Sequence, residues 1–180
     1  MKNIFLLQLI TFGIILPGTA QNRFYVNPSA NGQNNGLSWT DAFTDLHQAL
    51  TTAQAGDAIW VAEGEYLTDT ATNRDRAFVL KSGVKLYGSF AGTETEISQR
   101  NIAANPSQIN GNIGNPLDST DNAYTLLYLP YPDTSTLVDG FTMRHGYSSS
   151  DTNFISTSPV RSGGAVYVMA KNGKGLPTFA

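Results

Sequence analysis

The sequence contains no cysteine and few charged residues, and both absences restrict the class of protein. Without cysteine, neither a disulfide framework nor a lipidated N-terminal cysteine can form. Only 14% of the 180 residues are charged, the formal net charge is −3, and lysine and arginine form no cluster. This balance argues against binding to nucleic-acid phosphates and against disorder driven by charge. The residues in excess are instead glycine, asparagine, serine and threonine, which favour turns.

The first twenty residues have the layout of a secretory signal peptide. Lys2 supplies a positive charge, residues 4–16 form an uncharged apolar run, and small residues precede Gln21. Thirteen apolar residues are too few to span a bilayer core of about 30 Å. We therefore predict cleavage after Ala20 and a secreted or cell-surface protein without a transmembrane segment. The mature chain would carry 14 acidic and 10 basic residues.

Residues 21–57 predict a short strand, a polar loop and a helix. The strand covers residues 24–27, and the loop contains two asparagine–glycine turn dipeptides. Apolar residues then recur at steps of three and four, which predicts an amphipathic helix near Thr44–Gln54. Ser38 or Thr44 could cap its start and Gly56 could end it. Its apolar face would carry Trp39, Phe43, Leu46 and Leu50.

Residues 58–180 predict repeated short strands. Apolar runs end at glycine, asparagine or proline and cover residues 58–62, 77–80, 84–88, 107–111, 124–129, 137–143 and 164–168. One anchor from each main run gives a nearly regular series with every step in the twenties: Ile59, Val84, Ile109, Val138 and Val166. Such a period is typical of a β-solenoid, in which stacked coils share one core and the helix covers the first coil. A β-sandwich is the alternative, but its hairpins would place strands closer together.

Five blocks carry a family resemblance: YVNPSANGQNNGLSWTDAFTDLHQAL, AGDAIWVAEGEYLT, FVLKSGVKLYGSFAGTETEISQRNIAANPSQINGNIG, LVDGFTMRHG and SGGAVYV. In this order they resemble secreted bacterial proteins of the right-handed parallel β-helix, pectate-lyase-like superfamily, from Phe24 to Thr178. The resemblance implies an N-terminal helical cap followed by glycine-bounded coils. It also implies an exported or surface protein, because relatives include adhesins, autotransporter passengers and polysaccharide lyases.

The chain departs from that family at two places. It stops at GLPTFA, where the family continues into further coils and a sorting region, and it carries Glu63 and Glu65 where small residues are usual. We therefore expect the N-terminal portion of a longer protein. If the chain is complete, its open solenoid end would associate with other copies.

Several polar groups are candidates for chemistry, and each also has a purely structural interpretation. Glu63 and Glu65 would share one strand face and could bind a cation or act as acid and base, or could simply be solvated. The loop asparagines could offer oxygen atoms to Ca²⁺, but turn formation also explains Asn27, Asn31, Asn34 and Asn35.

The remaining candidates are basic or aromatic. Arg74, Asp75 and Arg76 could lie near a uronate or form a solvated loop, and His47 and His145 are predicted to be far apart. Aromatic side chains could stack on sugar rings or fill the core: Tyr66, Tyr87, Tyr128, Tyr131 and Tyr147.

The sequence thus predicts an all-β solenoid that serves as an extracellular structural, adhesive or glycan-binding module. Its expected partner is an extracellular polysaccharide or a cell-surface glycan. The alternative is the N-terminal part of a polysaccharide lyase or other carbohydrate-active enzyme with its active site on later coils. No catalytic, cofactor-binding or metal-binding residue is assigned, and Ca²⁺ is the only cofactor considered.

Overall fold

The computed structural model describes residues 21–148, 164–170 and 175–180, so the predicted signal peptide lies outside the described residues. The described chain is predominantly β-structure, as predicted. Its elements are β1 Arg23–Val26, α1 Leu46–Thr52, β2 Ala58–Ala62, β3 Gly64–Leu67, β4 Phe78–Val79, β5 Lys85–Phe90, β6 Ser107–Asn110, β7 Thr125–Pro130, β8 Leu137–Asp139, β9 Phe141–Arg144, β10 Gly164–Met169 and β11 Thr178–Phe179. Two short 3₁₀ helices cover Ile97–Gln99 and Ser119–Asp121.

The strands form three separate sheets, and every strand pair in them is parallel. Sheet A has the order β1-β2-β5-β8-β11, sheet B has β3-β6-β9, and sheet C has β4-β7-β10. From β2 onward the chain enters sheets A, B and C in turn and repeats that order until β11. We call one passage of the chain through sheets A, B and C a circuit. Because a tight turn cannot join parallel neighbours, each strand pairs with a strand that lies a full circuit away in sequence.

The regular period predicted from the sequence is wrong after the first circuit. Ile59 pairs with Leu86, which is close to the predicted step, but Leu86 pairs with Val138, which lies about twice as far along the chain. Two of the anchors that gave the regular steps, Ile109 and Val166, lie in sheets B and C and not in sheet A. The circuits differ because residues 91–106 and 111–124 form long connections between strands.

The core lies where inward-facing side chains of successive strands stack. Ile59, Leu86 and Val138 occupy paired positions on β2, β5 and β8, and all three are buried. Helix α1 contacts β1, β2 and β4, and adds Leu46 and Leu50 to the same apolar cluster. The helix therefore packs beside β1 and β4, the edge strands of sheets A and C.

The bounds of α1 differ from the prediction. Asp45 caps the helix, since its side chain accepts a 2.8 Å hydrogen bond from the His47 amide, so neither Ser38 nor Thr44 is the cap. The helix ends at Thr52, and Gly56 lies beyond the extended C-cap Ala53. The Lys81 ammonium donates hydrogen bonds to carbonyl oxygens of that last turn.

Trp39 and Phe43 precede α1 and do not share its apolar face. Phe43 bridges to Val26 beside β1 and is buried in the core, because the chain is still extended there. Trp39 packs on the opposite side of sheet A. The three-and-four spacing of apolar residues therefore overestimates the length of the helix.

One predicted strand is two strands in different sheets. The run 137–143 divides into β8 and β9 at Gly140, whose φ of 76° suits glycine. The corner is also crowded, because a Cβ atom on Gly88 would lie 2.5 Å from the Gly140 carbonyl oxygen. Strand β3 is absent from the prediction, since Gly64 interrupts the apolar run that begins at Ala58.

Candidate functional site

The outer face of sheet A carries two parallel rows of side chains. Tyr25, Trp60 and Tyr87 occupy paired positions on β1, β2 and β5. Two positions earlier on the same strands lie Arg23, Ala58 and Lys85, also in register. Because side chains alternate along a strand, the core residues between them point to the other face. An aromatic row therefore runs beside a row with two cations.

The aromatic row belongs to a larger cluster outside the core. The Trp60 and Phe90 rings stack with centroids 4.5 Å apart and planes 14° apart. Tyr25 meets Trp39 edge to face at 4.7 Å, and Trp39 lies 5.5 Å from Phe90. Trp60 and Phe90 are buried, whereas Tyr25, Trp39 and Tyr87 are partly exposed. Such contacts hold the partly exposed rings in fixed orientations.

Residues 91–96 fold against this cluster and are held by one carboxylate. The buried Glu94 side chain accepts hydrogen bonds of 2.7–3.0 Å from the backbone amides of Ala91, Gly92 and Thr93. The Glu94 carbonyl in turn accepts a 2.9 Å bond from the Trp39 indole nitrogen. Burial alone would raise the pKa of Glu94, but the hydrogen bonds from these amides lower it below its ordinary value.

This carboxylate predicts a loss of stability in acid. Because the pKa of Glu94 is lower in the folded state, its contribution is fully present above the ordinary value of 4.5 and is lost as the pH falls through the folded value. We expect Glu94→Gln to be less stable than the wild type at pH 7 in urea unfolding. The difference should shrink as the pH falls towards 3, and a constant difference would contradict this role.

A groove of about 590 Å³ opens on the outer face of sheet A. Two of its lining side chains, Leu37 and Ile97, are apolar and exposed, and the floor includes three rings of the aromatic cluster. The groove is lined by Gln21, Asn22, Arg23, Tyr25, Leu37, Ala58, Trp60, Lys85, Tyr87 and Ile97. The lining therefore combines apolar and aromatic side chains with polar and charged ones, and its exposed surface is mainly polar.

The charges that line the groove are positive. The Arg23 guanidinium lies 3.8 Å from the Trp60 ring centroid and donates to the Thr95 carbonyl at 3.1 Å. Among the described residues, Lys85 makes no side-chain hydrogen bond or ion pair. Arg100 lies near Tyr87 but is paired with Asp139 at 2.6 Å. Burial first, and the Asp139 charge second, raise the pKa of Tyr87, which therefore remains a neutral donor.

The structure separates Glu63 from Glu65. Glu63 lies in the corner between β2 and β3 and Glu65 lies within β3, so the prediction that they share one strand face is wrong. Both are exposed. Instead, Glu65 accepts a 2.7 Å hydrogen bond from the buried amide of Asn110, whose oxygen contacts His145 Nδ1 at 2.8 Å. Since that oxygen is an acceptor, Nδ1 of His145 is the donor of this contact, and Nε2 is the acceptor whenever the ring is neutral.

The loop asparagines use their side-chain oxygens within the loop. Asn27 accepts from the Ser29 amide at 2.9 Å, Asn34 from the Thr44 amide at 2.8 Å, and Asn35 from the Leu37 amide at 3.0 Å. The bonds of Asn27 and Asn35 are turn contacts, which is the alternative to Ca²⁺ ligation considered for these asparagines and for Asn31, and the Asn34 bond joins the loop to Thr44. Within residues 21–148, 164–170 and 175–180, no three His, Asp or Glu side chains gather as a metal site would require.

The charged triplet does not converge on a site. Arg74 donates to the Asn122 carbonyl at 2.7 Å and lies over the Tyr124 ring, whereas Arg76 pairs with Asp69 at 2.8 Å. That pairing is the main reason for the lowered pKa of Asp69. The amide of Asp75 donates to the Asn73 side chain. The two arginines therefore have structural roles. Arg74 joins the segment before β4 to the segment before β7, and Arg76 pairs within the connection between β3 and β4.

The two histidines and the five candidate tyrosines do not gather at one site. His47 contacts Phe78 and the Thr68 carbonyl, and burial lowers its pKa, while His145 directly follows β9 in sheet B. Tyr66 is a core residue whose hydroxyl donates to the Ala62 carbonyl. Of the five predicted aromatic candidates, the groove brings in Tyr87 alone. Three further candidates lie outside the groove: Tyr128, Tyr131 and Tyr147.

The sequence offers one signal for the groove residues that the prediction missed. Lys85 and Tyr87 stand two apart on a predicted strand and so share a face, and Arg23 and Tyr25 have the same spacing at the start of another. Trp60 follows the same pattern after Ala58. What the pattern could not reveal is that residues 37–39 and 91–97 fold over this face.

No family model, curated protein or solved structure matches this chain. In the part of the chain that the structure describes, no helix has the length and apolar character of a membrane span.

Proposed function

We propose that this chain is an exported parallel β-helix module that binds a glycan in the groove on sheet A. The cyclic use of three parallel sheets supports the β-helix, because a chain that circles a common axis returns to each sheet once per coil. Right-handed connections are the rule for parallel strands, which supports the handedness that the family resemblance implies. The signal-like N-terminus supports a secreted or cell-surface location.

One observation carries the glycan-binding function: an in-register aromatic row forms the floor of an open groove. Tyr25 and Tyr87 are partly exposed and are fixed by packing, so a sugar ring could stack on them without first ordering them. The Lys85 ammonium supplies donors for hydroxyl or carboxylate oxygens. The proposed partner is therefore an extracellular polysaccharide or a cell-surface glycan.

The test is a calorimetric titration of the full chain with cellohexaose, xylohexaose and hexagalacturonate. Tyr87→Ala should weaken binding at least tenfold, since the buried aromatic centre of an interface commonly carries that much. Tyr131→Ala is the matched control, because Tyr131 is 53% exposed and lies outside the groove. Equal affinity for both variants, or no binding by the wild type, would refute the proposal.

The alternative is the N-terminal part of a polysaccharide lyase or other carbohydrate-active enzyme. The contact that favours it is the Glu65–Asn110–His145 row, which holds Nε2 of His145 as a potential base. Incubation with polygalacturonate distinguishes the two functions. An unsaturated product that absorbs in the ultraviolet would favour the lyase, and binding without it favours the module.

A further inference from the structure

Trp60 is the most deeply placed ring of the groove, and two different groups cover it. It lines the groove but is only 1% exposed. The Phe90 ring stacks on it at 4.5 Å, and the Arg23 guanidinium lies 3.8 Å from its centroid. Phe90 is itself completely buried, whereas Arg23 is exposed. One cover is thus part of a packed cluster and the other is a surface side chain.

Arg23 is held in place by weak contacts only. Besides the ring, its guanidinium donates to the Thr95 carbonyl at 3.1 Å and to the Tyr25 hydroxyl at 3.4 Å. No carboxylate among the described residues pairs with it. An exposed arginine with neutral partners can leave the ring at little cost, because water replaces its hydrogen bonds.

The indole nitrogen of Trp60 provides a second, independent observation. Its N–H is buried and has no hydrogen-bond partner among the described residues. Buried tryptophan N–H groups usually find a partner, since an unpaired donor destabilises the fold. The nearby indole of Trp39 follows the rule and bonds the Glu94 carbonyl. Within the described residues, Trp60 therefore has a donor without a partner and a ring face that an exposed arginine covers.

We propose that Trp60 is a covered sugar-binding subsite, which a pyranose ring reaches by displacing Arg23 from the indole. The sugar would stack on the vacated face, and a ring or hydroxyl oxygen that extends past the edge would accept the Nε1 hydrogen bond. This subsite rests on the proposed glycan-binding function. It adds the Trp60 ring as the stacking surface, its Nε1–H as the donor and Arg23 as the group that competes with the sugar.

The direction in which one substitution changes the affinity for the sugar distinguishes this subsite from an ordinary binding contact. If Arg23 competes with the ligand, Arg23→Ala should bind cellohexaose about twofold to fivefold more tightly, which corresponds to the usual strength of an exposed cation–π contact. If Arg23 instead binds the ligand, the same change should weaken binding. Arg23→Lys keeps the charge but has no planar group to cover the ring, so it should also bind more tightly.

A ligand-independent readout accompanies the titration. The chain has two tryptophans, so Trp39→Phe leaves Trp60 as the only one. In that background, Arg23→Ala should increase the quenching of Trp60 fluorescence by acrylamide, and cellohexaose should protect the ring again. Lys85→Ala is the matched control for quenching, because Lys85 lies in the groove but covers no ring. Circular dichroism establishes that each variant is folded.

The outcomes decide between the subsite and the wider function. Tighter binding and greater quenching in Arg23→Ala than in the wild type support the subsite. Wild-type binding that Tyr87→Ala abolishes, with weaker or unchanged binding by Arg23→Ala, overturns the subsite alone. If neither wild type nor Arg23→Ala binds any of the three hexaoses, both the function and the subsite are refuted.

Discussion

Leu86→Ala is expected to lower the free energy of unfolding by about 2–5 kcal/mol, the usual range for a buried leucine. Leu86 has no exposed surface and lies in register between Ile59 and Val138. Its removal would leave a cavity between two successive circuits, and regular strand pairing on both sides would prevent the neighbours from closing it. Urea unfolding of the full chain measures the loss.

The matched control for this prediction is Leu117→Ala. Leu117 is 94% exposed, so the same change should alter stability by no more than about 0.5 kcal/mol. Similar losses for the two variants would mean that Leu86 is not part of a shared core. The parallel stacking of β2, β5 and β8 would then be wrong.

Arg74→Ala should also destabilise the fold, by about 2–3 kcal/mol, because a charged donor that bonds three groups is lost. Arg74 donates to the Asn122 carbonyl at 2.7 Å, the Tyr124 hydroxyl at 2.9 Å and the Tyr147 carbonyl at 3.4 Å. Its guanidinium also stacks on the Tyr124 ring at 3.8 Å. The side chain thus joins three corners that are distant in sequence, and thermal unfolding measures their loss.

The neighbouring arginine provides the comparison. Arg76 pairs with Asp69, but its side chain is 42% exposed, so Arg76→Ala should cost no more than about 1 kcal/mol. Arg74→Lys should lose most of what Arg74→Ala loses, since an ammonium cannot bond all three groups while stacked. If Arg74→Ala were as stable as Arg76→Ala, the stabilising role of the Arg74 hydrogen bonds between these corners would be refuted.

The sequence predicts most strands because apolar runs bounded by turn residues are local signals. It fails where structure depends on distant partners. The regularly spaced anchors from Ile59 to Val166 lie in three different sheets. The sequence does not reveal this, because an apolar residue gives the same signal in every sheet. Trp39 matches a helical period because nothing in the sequence reveals that its partners, Trp60 and Phe90, lie on later strands.

The candidate site is only partly predictable for the same reason. Tyr87 is identified as a sugar-stacking candidate from its place on a strand, and it lines the groove. Arg23 and Lys85 are not identified, because a lone cation on a strand carries no signal until its neighbours are known. His145 and Glu65 are considered separately, and only the fold brings both to Asn110.

The exclusively parallel pairing also determines how the chain can fold. Even β2 and β5, the paired strands that lie closest in sequence, are separated by β3 and β4, so no described strand pair can form as a local hairpin. Large sequence separation between contacts slows folding, because loop entropy is lost before the contacts form. The covered end at α1 and β1 offers the first complete edge, from which later circuits could add one by one. A slowly folding chain stays unfolded for longer after synthesis, and an unfolded chain is what the proposed export through a narrow translocation channel requires.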